Sequence, residues 1–276
     1  MKSYLKTSDH FLSKETYELL HDEELDMLIT HPKPLDISKY YESDNYISHN
    51  DRTNNVIDRL YHWVKRVNSR NKLRLVARMS KAGRKLLDVG AGTGDFLLCA
   101  KKKGWKVSGV EPSPNANLLA SKKGIQLKTA LAEFGNERFD VITLWHVLEH
   151  LPNLKESIGI LCNMLKDNGA LIIAVPNFKS YDAHHYHTFW AAYDVPRHLW
   201  HFSKKSIEKL FEAHKMQLME RRPMWFDSFY VSLLSEEYKT GKKNWVKSFG
   251  IGLWSNIKGV YTKEYSSHIY ILKKQK

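Results

Sequence analysis

Cysteine is scarce in this chain of 276 residues: there are two, Cys99 and Cys162, far apart in stretches that read as helices. Neither a disulfide framework nor a thiolate metal site is supported, and both read as small core residues. Long apolar runs are missing as well. No stretch approaches the roughly 18 apolar residues of a membrane span, and MKSYLKTSDHFLSKETYELL holds neither the apolar centre nor the cleavage site of a secretory signal. A cytoplasmic chain is therefore expected. Internal repeats and low-complexity tracts are absent too, which excludes solenoids and disordered tails. Acid is the minority charge, 30 Asp and Glu against 43 Lys and Arg, for a net +13. The excess is clustered: Lys65–Lys85 holds nine basic residues and no acid, and Lys239–Lys276 holds nine lysines against Glu264 alone. Such clusters steer an anionic substrate, an anionic membrane surface or RNA, or else are solvated helix faces.

What is present is 42% hydrophobic, a globular composition with enough apolar side chain for a substantial core. Residues 1–50 are polar and punctuated by His31-Pro32-Lys33-Pro34, which reads as an N-terminal arm ahead of a domain over 51–276. Val56, Leu60, Trp63, Val64 and Val67 recur at helical spacing, and the helix resumes around Leu73, Val76 and Met79. The period then changes. Short apolar runs at Lys85–Val89, Trp105–Val110, Phe139–Leu144 and Ala170–Val175 alternate with helix-length segments at Phe96–Lys103, Asn115–Lys122 and Leu154–Lys166. This alternation predicts a doubly wound, mostly parallel α/β sheet of the Rossmann-like class.

The first strand of the series runs into Asp88-Val89-Gly90-Ala91-Gly92-Thr93-Gly94-Asp95. Glycine at alternate positions lets backbone approach a ligand closely, but the spacing is G-x-G-x-G, where a dinucleotide loop reads G-x-G-x-x-G. Asp88 and Asp95 would repel a pyrophosphate and attract an ammonium group. Glu111, 21 residues after Gly90 at the end of the second strand, is placed to grip both hydroxyls of a ribose. A ligand with a ribose and an amine but no phosphate is indicated.

LLDVGAGTGDF, then VSGVEPS, FDVITLWHVLEHLPN and GALIIAVPN resemble, in order, the motif series of class I S-adenosylmethionine-dependent methyltransferases, over about Arg84 to Asn177. The resemblance implies a seven-stranded sheet whose last strand is antiparallel, with Ile125–Lys128, Met216–Arg221 and His268–Leu272 as further strands and an insertion over 223–267 before the last. It implies that Asp88, Gly90, Ala91, Gly92 and Gly94 contact the methionine part of S-adenosylmethionine and that Glu111 holds the ribose. Pro112 and Leu131 would flank the adenine, and Trp145 and His146 would lie beside the methyl group. Where many relatives have an acid for the adenine amino group, this chain has Ala130-Leu131-Ala132 and only then Glu133. The N-terminal stretch is similar to relatives that begin with a Cys-x-x-Cys-Gly knuckle, but Asp22 and Leu25 stand where the cysteines would fall, leaving at most a metal-free hairpin. The segment that follows resembles a lid over the cofactor, which makes Tyr41, Tyr46 and His49 candidates.

Methyl transfer to a hydroxyl needs a base, and histidine has a suitable intrinsic pKa. His198 and His146 are the candidates, with Arg197 and Tyr193 binding substrate. His146, Glu149 and His150 stand at i, i+3 and i+4, and the turn resembles the corresponding part of quinone-biosynthesis O-methyltransferases, in which a Glu-containing version binds metal; the same pair is structural in other relatives, and no metal is assigned. His184, His185 and His187 read as exposed loop residues. The expectation is methyl transfer from S-adenosylmethionine, yielding S-adenosylhomocysteine, to an oxygen of a small or lipid-like acceptor, with peripheral contact to an anionic membrane through the insertion. Alternatives are an RNA or protein methyltransferase and a cofactor-binding module without catalysis. Nucleic acid is disfavoured because Leu144-Trp145-His146-Val147 stands where an Asn-Pro-Pro-Tyr-type motif would position a base amine, and the loop spacing disfavours a nicotinamide oxidoreductase. Neither the acceptor's identity nor the oligomeric state is written in these residues.

Overall fold

The computed structural model describes residues 1–41, 56–80 and 83–275. In chain order the elements are β1 (Lys2–Ser8), β2 (Thr16–Asp22), β3 (Met27–His31), α1 (Val56–Met79), β4 (Lys85–Val89), α2 (Asp95–Lys101), β5 (Lys106–Val110), α3 (Pro114–Lys122) and β6 (Phe139–Trp145). They continue with α4 (Leu154–Met164), β7 (Leu165–Pro176), α5 (Tyr181–Tyr186), β8 (Trp200–His201), α6 (Lys204–Glu212), β9 (Met216–Pro223), α7 (Asp227–Thr240), α8 (Trp245–Thr262) and β10 (Ser267–Lys274). Among these, no helix is long and apolar enough to cross a membrane.

Six strands form the main sheet in the order β5-β4-β6-β7-β10-β9, largely parallel with an antiparallel C-terminal strand. The α/β reading holds, and each run expected to be a strand from Lys85 to Val175 is one. The exception is 125–128. It makes a single parallel bridge, Lys128 to Val110, with the Glu111 N–H donating to Lys128 O at 2.9 Å and the Lys128 N–H to Gly109 O at 3.0 Å. It occupies the edge of the sheet without becoming a seventh strand.

Two compact units divide the chain, Met1–Glu42 with His146–Lys155 and Ile173–Tyr270, and Ser43–Trp145 with Glu156–Ile172 and Ile271–Lys276. In the second, β4 pairs in parallel with both β5 and β6, Asp88 lying opposite Gly109 and Thr143. Leu86, Leu87, Phe139, Val141, Ile142 and Leu144 are buried, as strands covered on both faces require. Ser113 caps α3 by accepting from the Ala116 N–H, with Pro114 in the first turn. Both cysteines are free, Cys162 buried and Cys99 half-buried.

In the first unit, β1, β2 and β3 form an antiparallel meander to which β8 adds, giving the sheet β1-β2-β3-β8. The stretch expected as an arm, with at most a metal-free hairpin, is thus strand up to His31, and β2 and β3 form a hairpin across Asp22 and Met27. Its apolar residues alternate with polar ones at period two, Leu5 and Thr7, Tyr17 and Leu19, Leu28 and Thr30 all facing inward. Because half the inward residues are polar or aromatic, composition alone reads as loop.

The insertion over 223–267 folds into the helices α7 and α8. Glycine is a poor helix former, yet α8 runs unbroken through Gly250 and Gly252. A Cβ at Gly252 would lie 2.8 Å from the Phe229 ring and 2.9–3.0 Å from its backbone, whereas one at Gly250 would meet nothing within 4 Å. Gly252 therefore permits close helix approach, which outweighs its poor helix propensity. Buried Asp182 ties the unit together, accepting from Trp190 Nε1 at 2.8 Å, Ser255 Oγ at 2.6 Å and Ser266 Oγ at 2.7 Å. Gly252→Val should destabilise the protein by about 1–3 kcal/mol through overpacking. Gly250→Ala should be neutral or stabilise by up to about 1 kcal/mol. Thermal melts of the two variants check the difference, and equal effects would remove the close-approach account.

Candidate cofactor site and histidine cluster

The glycine loop lies in the second unit, at the C-terminal end of β4. Gly90, Gly92 and Gly94 have φ of 69°, 52° and 73°, left-handed values that favour glycine. The Gly90 and Ala91 amides both donate to Val110 O, at 2.8 and 2.9 Å, which pins the loop to the end of β5. The Gly92 amide donates to Glu111 Oε2 at 2.9 Å, and the Ser113 amide to Glu111 Oε1 at 3.0 Å. An ionised carboxylate has about four lone-pair sites, so each Glu111 oxygen keeps one for a hydroxyl. A Cβ at Gly92 would meet nothing within 4 Å, so the loop forms an open cradle. These residues fit a ribose-bearing ligand.

Of the two acids bracketing the loop, Asp95 is neutralised by Lys123 Nζ at 2.6 Å. Asp88 is buried, accepting from Thr143 Oγ1 at 2.6 Å. Burial pushes its carboxyl up to about 7, against the hydrogen bond from Thr143 and the charge of Lys72. Lys72 Nζ also lies 4.4 Å from the centre of the Trp145 ring, whose edge meets Phe96. Pro112 is exposed and Leu131 half-buried. Glu133 Oε1 accepts from the Thr129 and Ala130 amides and from Thr129 Oγ1, so it caps its own turn and is not an adenine acceptor held in reserve.

The expected histidines lie in the first unit. His146 has φ 57° and donates its amide to Ala174 O. Its Nδ1 is 3.4 Å from Glu149 Oε1 and its Nε2 3.0 Å from Asp227 Oδ2. Burial opposes the charge, but Asp227 and Glu149 outweigh it and hold His146 up to about 10. Both ring nitrogens face carboxylates, a setting that favours the imidazolium over the free base. Asp227 opens α7, 81 residues beyond His146, and no local pattern pointed to it.

His146, Glu149 and His150 do not share one helical face, because left-handed His146 precedes the 3-10 turn Leu148–His150 and is not part of it. The residues that converge are Glu149, His150 and His198, each offering one ligand atom within 4.8 Å of the others. His150 Nδ1 faces Arg197 O at 3.0 Å and His198 Nδ1 faces Ala192 O at 2.8 Å. A carbonyl only accepts, so both Nδ1 atoms carry hydrogen and both Nε2 lone pairs remain. Neither oxygen of buried Glu149 makes a normal hydrogen bond. Burial and the neighbouring His198 charge push His150 down to about 4. Three acceptors with no donor among them suit a shared proton or a divalent cation.

Arg197 is buried, donating to Asp194 through Nε and Nη2 and to Asp9 through both terminal nitrogens. Its donors are spent on this clamp, so the substrate-anion assignment is withdrawn. Tyr193, also expected at substrate, packs in the core against Trp190 and His201. Tyr41 Oη lies 2.9 Å from His150 Nδ1. Tyr46 and His49 fall outside the described residues. His184 and His187 are exposed and His185 half-buried beside Tyr181 and Tyr186.

A family model described as a methyltransferase domain matches residues 60–219, well over half of the chain. A ubiquinone biosynthesis O-methyltransferase of Pseudomonas putida is 34% identical over 110 residues, 36% of this chain and 47% of that protein. The chain thus spans about half the length of the curated relatives it matches. Magnesium protoporphyrin IX methyltransferase from Synechocystis PCC 6803, solved with SAM bound, superposes with a TM-score of 0.54 at 13% identity, covering 86% of this chain and 94% of that one. The cyclopropane synthase MmaA2 of Mycobacterium tuberculosis gives 0.50 at 14%, covering 74% and 83%. At these identities the structures show a shared fold.

Asp88 generates a testable pH dependence. Its folded pKa, about 7, lies above the ordinary 3.8, so the native state binds the extra proton between those values and loses stability as pH rises through them. The melting-temperature gain of Asp88→Asn over wild type should therefore grow from pH 4 to pH 8. A gain independent of pH would mean that Asp88 is not held protonated.

Proposed function

The chain belongs to the methyltransferase-domain family, and we propose that it moves the methyl group of S-adenosylmethionine onto an oxygen of a small, ring-bearing or lipid-like acceptor. It is an S-adenosylmethionine-dependent enzyme. S-adenosylmethionine supplies the methyl group and leaves as S-adenosylhomocysteine. Glu111 receives the ribose hydroxyls on its two remaining lone-pair sites, and Asp88, once ionised, answers the ammonium group. The open cradle at Gly92 takes the methionine part.

The observation that favours oxygen is the imidazolium of His146, which follows Trp145 directly at the end of β6 and is held charged by Asp227 and Glu149. A fixed positive charge lowers the pKa of a phenol-type hydroxyl and stabilises the oxyanion that attacks a sulfonium methyl. An amine, which gains positive charge as it attacks, would instead be disfavoured beside that cation. The O-methyltransferase name of the Pseudomonas putida relative supports the same acceptor atom. His198, oriented at Nδ1 by the Ala192 carbonyl and keeping its Nε2 lone pair, is the group able to accept the hydroxyl proton.

Transfer of labelled methyl into fractionated cell extract, with products tested for ether against amine linkage, identifies the acceptor atom. An ether is expected, and labelled amine or RNA would refute the reading. On the acceptor so found, kcat should fall as pH rises through about 10. Asp227→Asn removes a carboxylate from His146, lowers its pKa, and should move that alkaline limb to lower pH. An unmoved limb would take His146 out of the reaction.

A further inference from the structure

We propose that the outer face of α8 docks on an anionic lipid surface. The helix is inverted relative to an ordinary surface helix. Its inward face is small and polar, with Ser248, Gly252, Ser255, Asn256 and Gly259 all buried. Its outward face is large and apolar: Val246 is 86% exposed, Phe249 58%, Leu253 44% and Ile257 38%. Their spacing of three and four residues makes one continuous stripe along an 18-residue helix, which at 1.5 Å per residue is about 27 Å long. An ordinary packing insertion would bury these side chains, and a contiguous exposed stripe of this kind marks an interaction surface.

Charge selects the occupant. From Lys239 to Lys263 there are six lysines and no acid. Lys247 lies 2.8 Å from Glu236 and Lys243 3.7 Å from Glu237, while Lys242 and Lys258 stand outside those pairs. Trp254 borders the stripe with Lys258 one turn on, its Nζ 5.4 Å from the ring centre, an arrangement that places an amphipathic ring and a long cationic side chain at headgroup depth. A second copy of the same lysine-rimmed face would be repelled. Insertion across the bilayer is excluded by the lysines and by the small polar inner face that packs on α7. The helix therefore lies in the plane of the interface, with its apolar stripe among the acyl chains and its lysines at anionic headgroups. This inference is independent of the acceptor assigned above.

Flotation of the full chain with vesicles of phosphatidylcholine alone or with about 30% phosphatidylglycerol tests it, at low and high salt. Retention is expected on the anionic vesicles only, weakening with salt, at roughly fivefold in partitioning for each lysine engaged. Leu253→Glu with Ile257→Glu should abolish retention while leaving the melting temperature and S-adenosylhomocysteine affinity unchanged, because both residues face solvent. Lys242→Glu with Lys258→Glu should reduce it at least tenfold at low salt. Lipids brominated near the headgroup should quench tryptophan fluorescence in wild type but not in the Leu253/Ile257 variant. The proposal is overturned if neither vesicle retains wild type, if the Leu253/Ile257 variant still floats, or if that variant instead dissolves a wild-type dimer seen in solution, which would assign the face to a second copy.

Discussion

The carboxylate of Glu111 fixes the geometry on which the cofactor site depends. One oxygen takes the amide of Gly92 and the other that of Ser113. A single side chain at the end of β5 thus sets both the turn after β4 and the entry to α3. The loop it holds consists of left-handed residues that glycine tolerates at little steric cost, and its first two amides are already committed to Val110 O. Charge is then distributed by burial. Lys123 cancels Asp95, and burial holds Asp88 near neutrality until a cation arrives.

The first unit is organised around paired charge. His146 is kept cationic by two carboxylates, one of them on the insertion helix α7. Arg197, Asp194 and Asp9 form a clamp in which each ion finds its counterion, the usual condition for burying charge. Glu149 is shared: its Oε1 lies 3.4 Å from the His146 ring, while neither of its oxygens makes a normal hydrogen bond and ring nitrogens of His150 and His198 stand nearby.

Much of the fold was legible because its signals are local. Glycine at alternate positions after an apolar run, an acid at the end of the next strand, and helices spaced between strands can be read from neighbours in sequence. The N-terminal strands were not, because Thr7, Tyr17 and Thr30 fill inward positions where apolar residues would have shown the period. The role of Gly252 is not local either: its meaning lies in Phe229, on another helix. The same limit applied to the histidines. His146 and His198 were found as residue types, but the charge of the first depends on Asp227 and the tautomer of the second on Ala192 O, partners that only the folded chain supplies. Arg197 looked available because Asp9 lies 188 residues earlier.

If Glu111 both builds the loop and receives the ribose, removing its carboxylate must weaken ligand binding without unfolding the chain. Calorimetric titration of wild type and Glu111→Ala with S-adenosylhomocysteine measures this directly. One-to-one binding in wild type, weakened in the variant by about 1.5–3 kcal/mol or roughly ten- to a hundredfold, is the predicted result. Equal affinity in the two proteins, or preferential binding of NAD by wild type, would contradict the account.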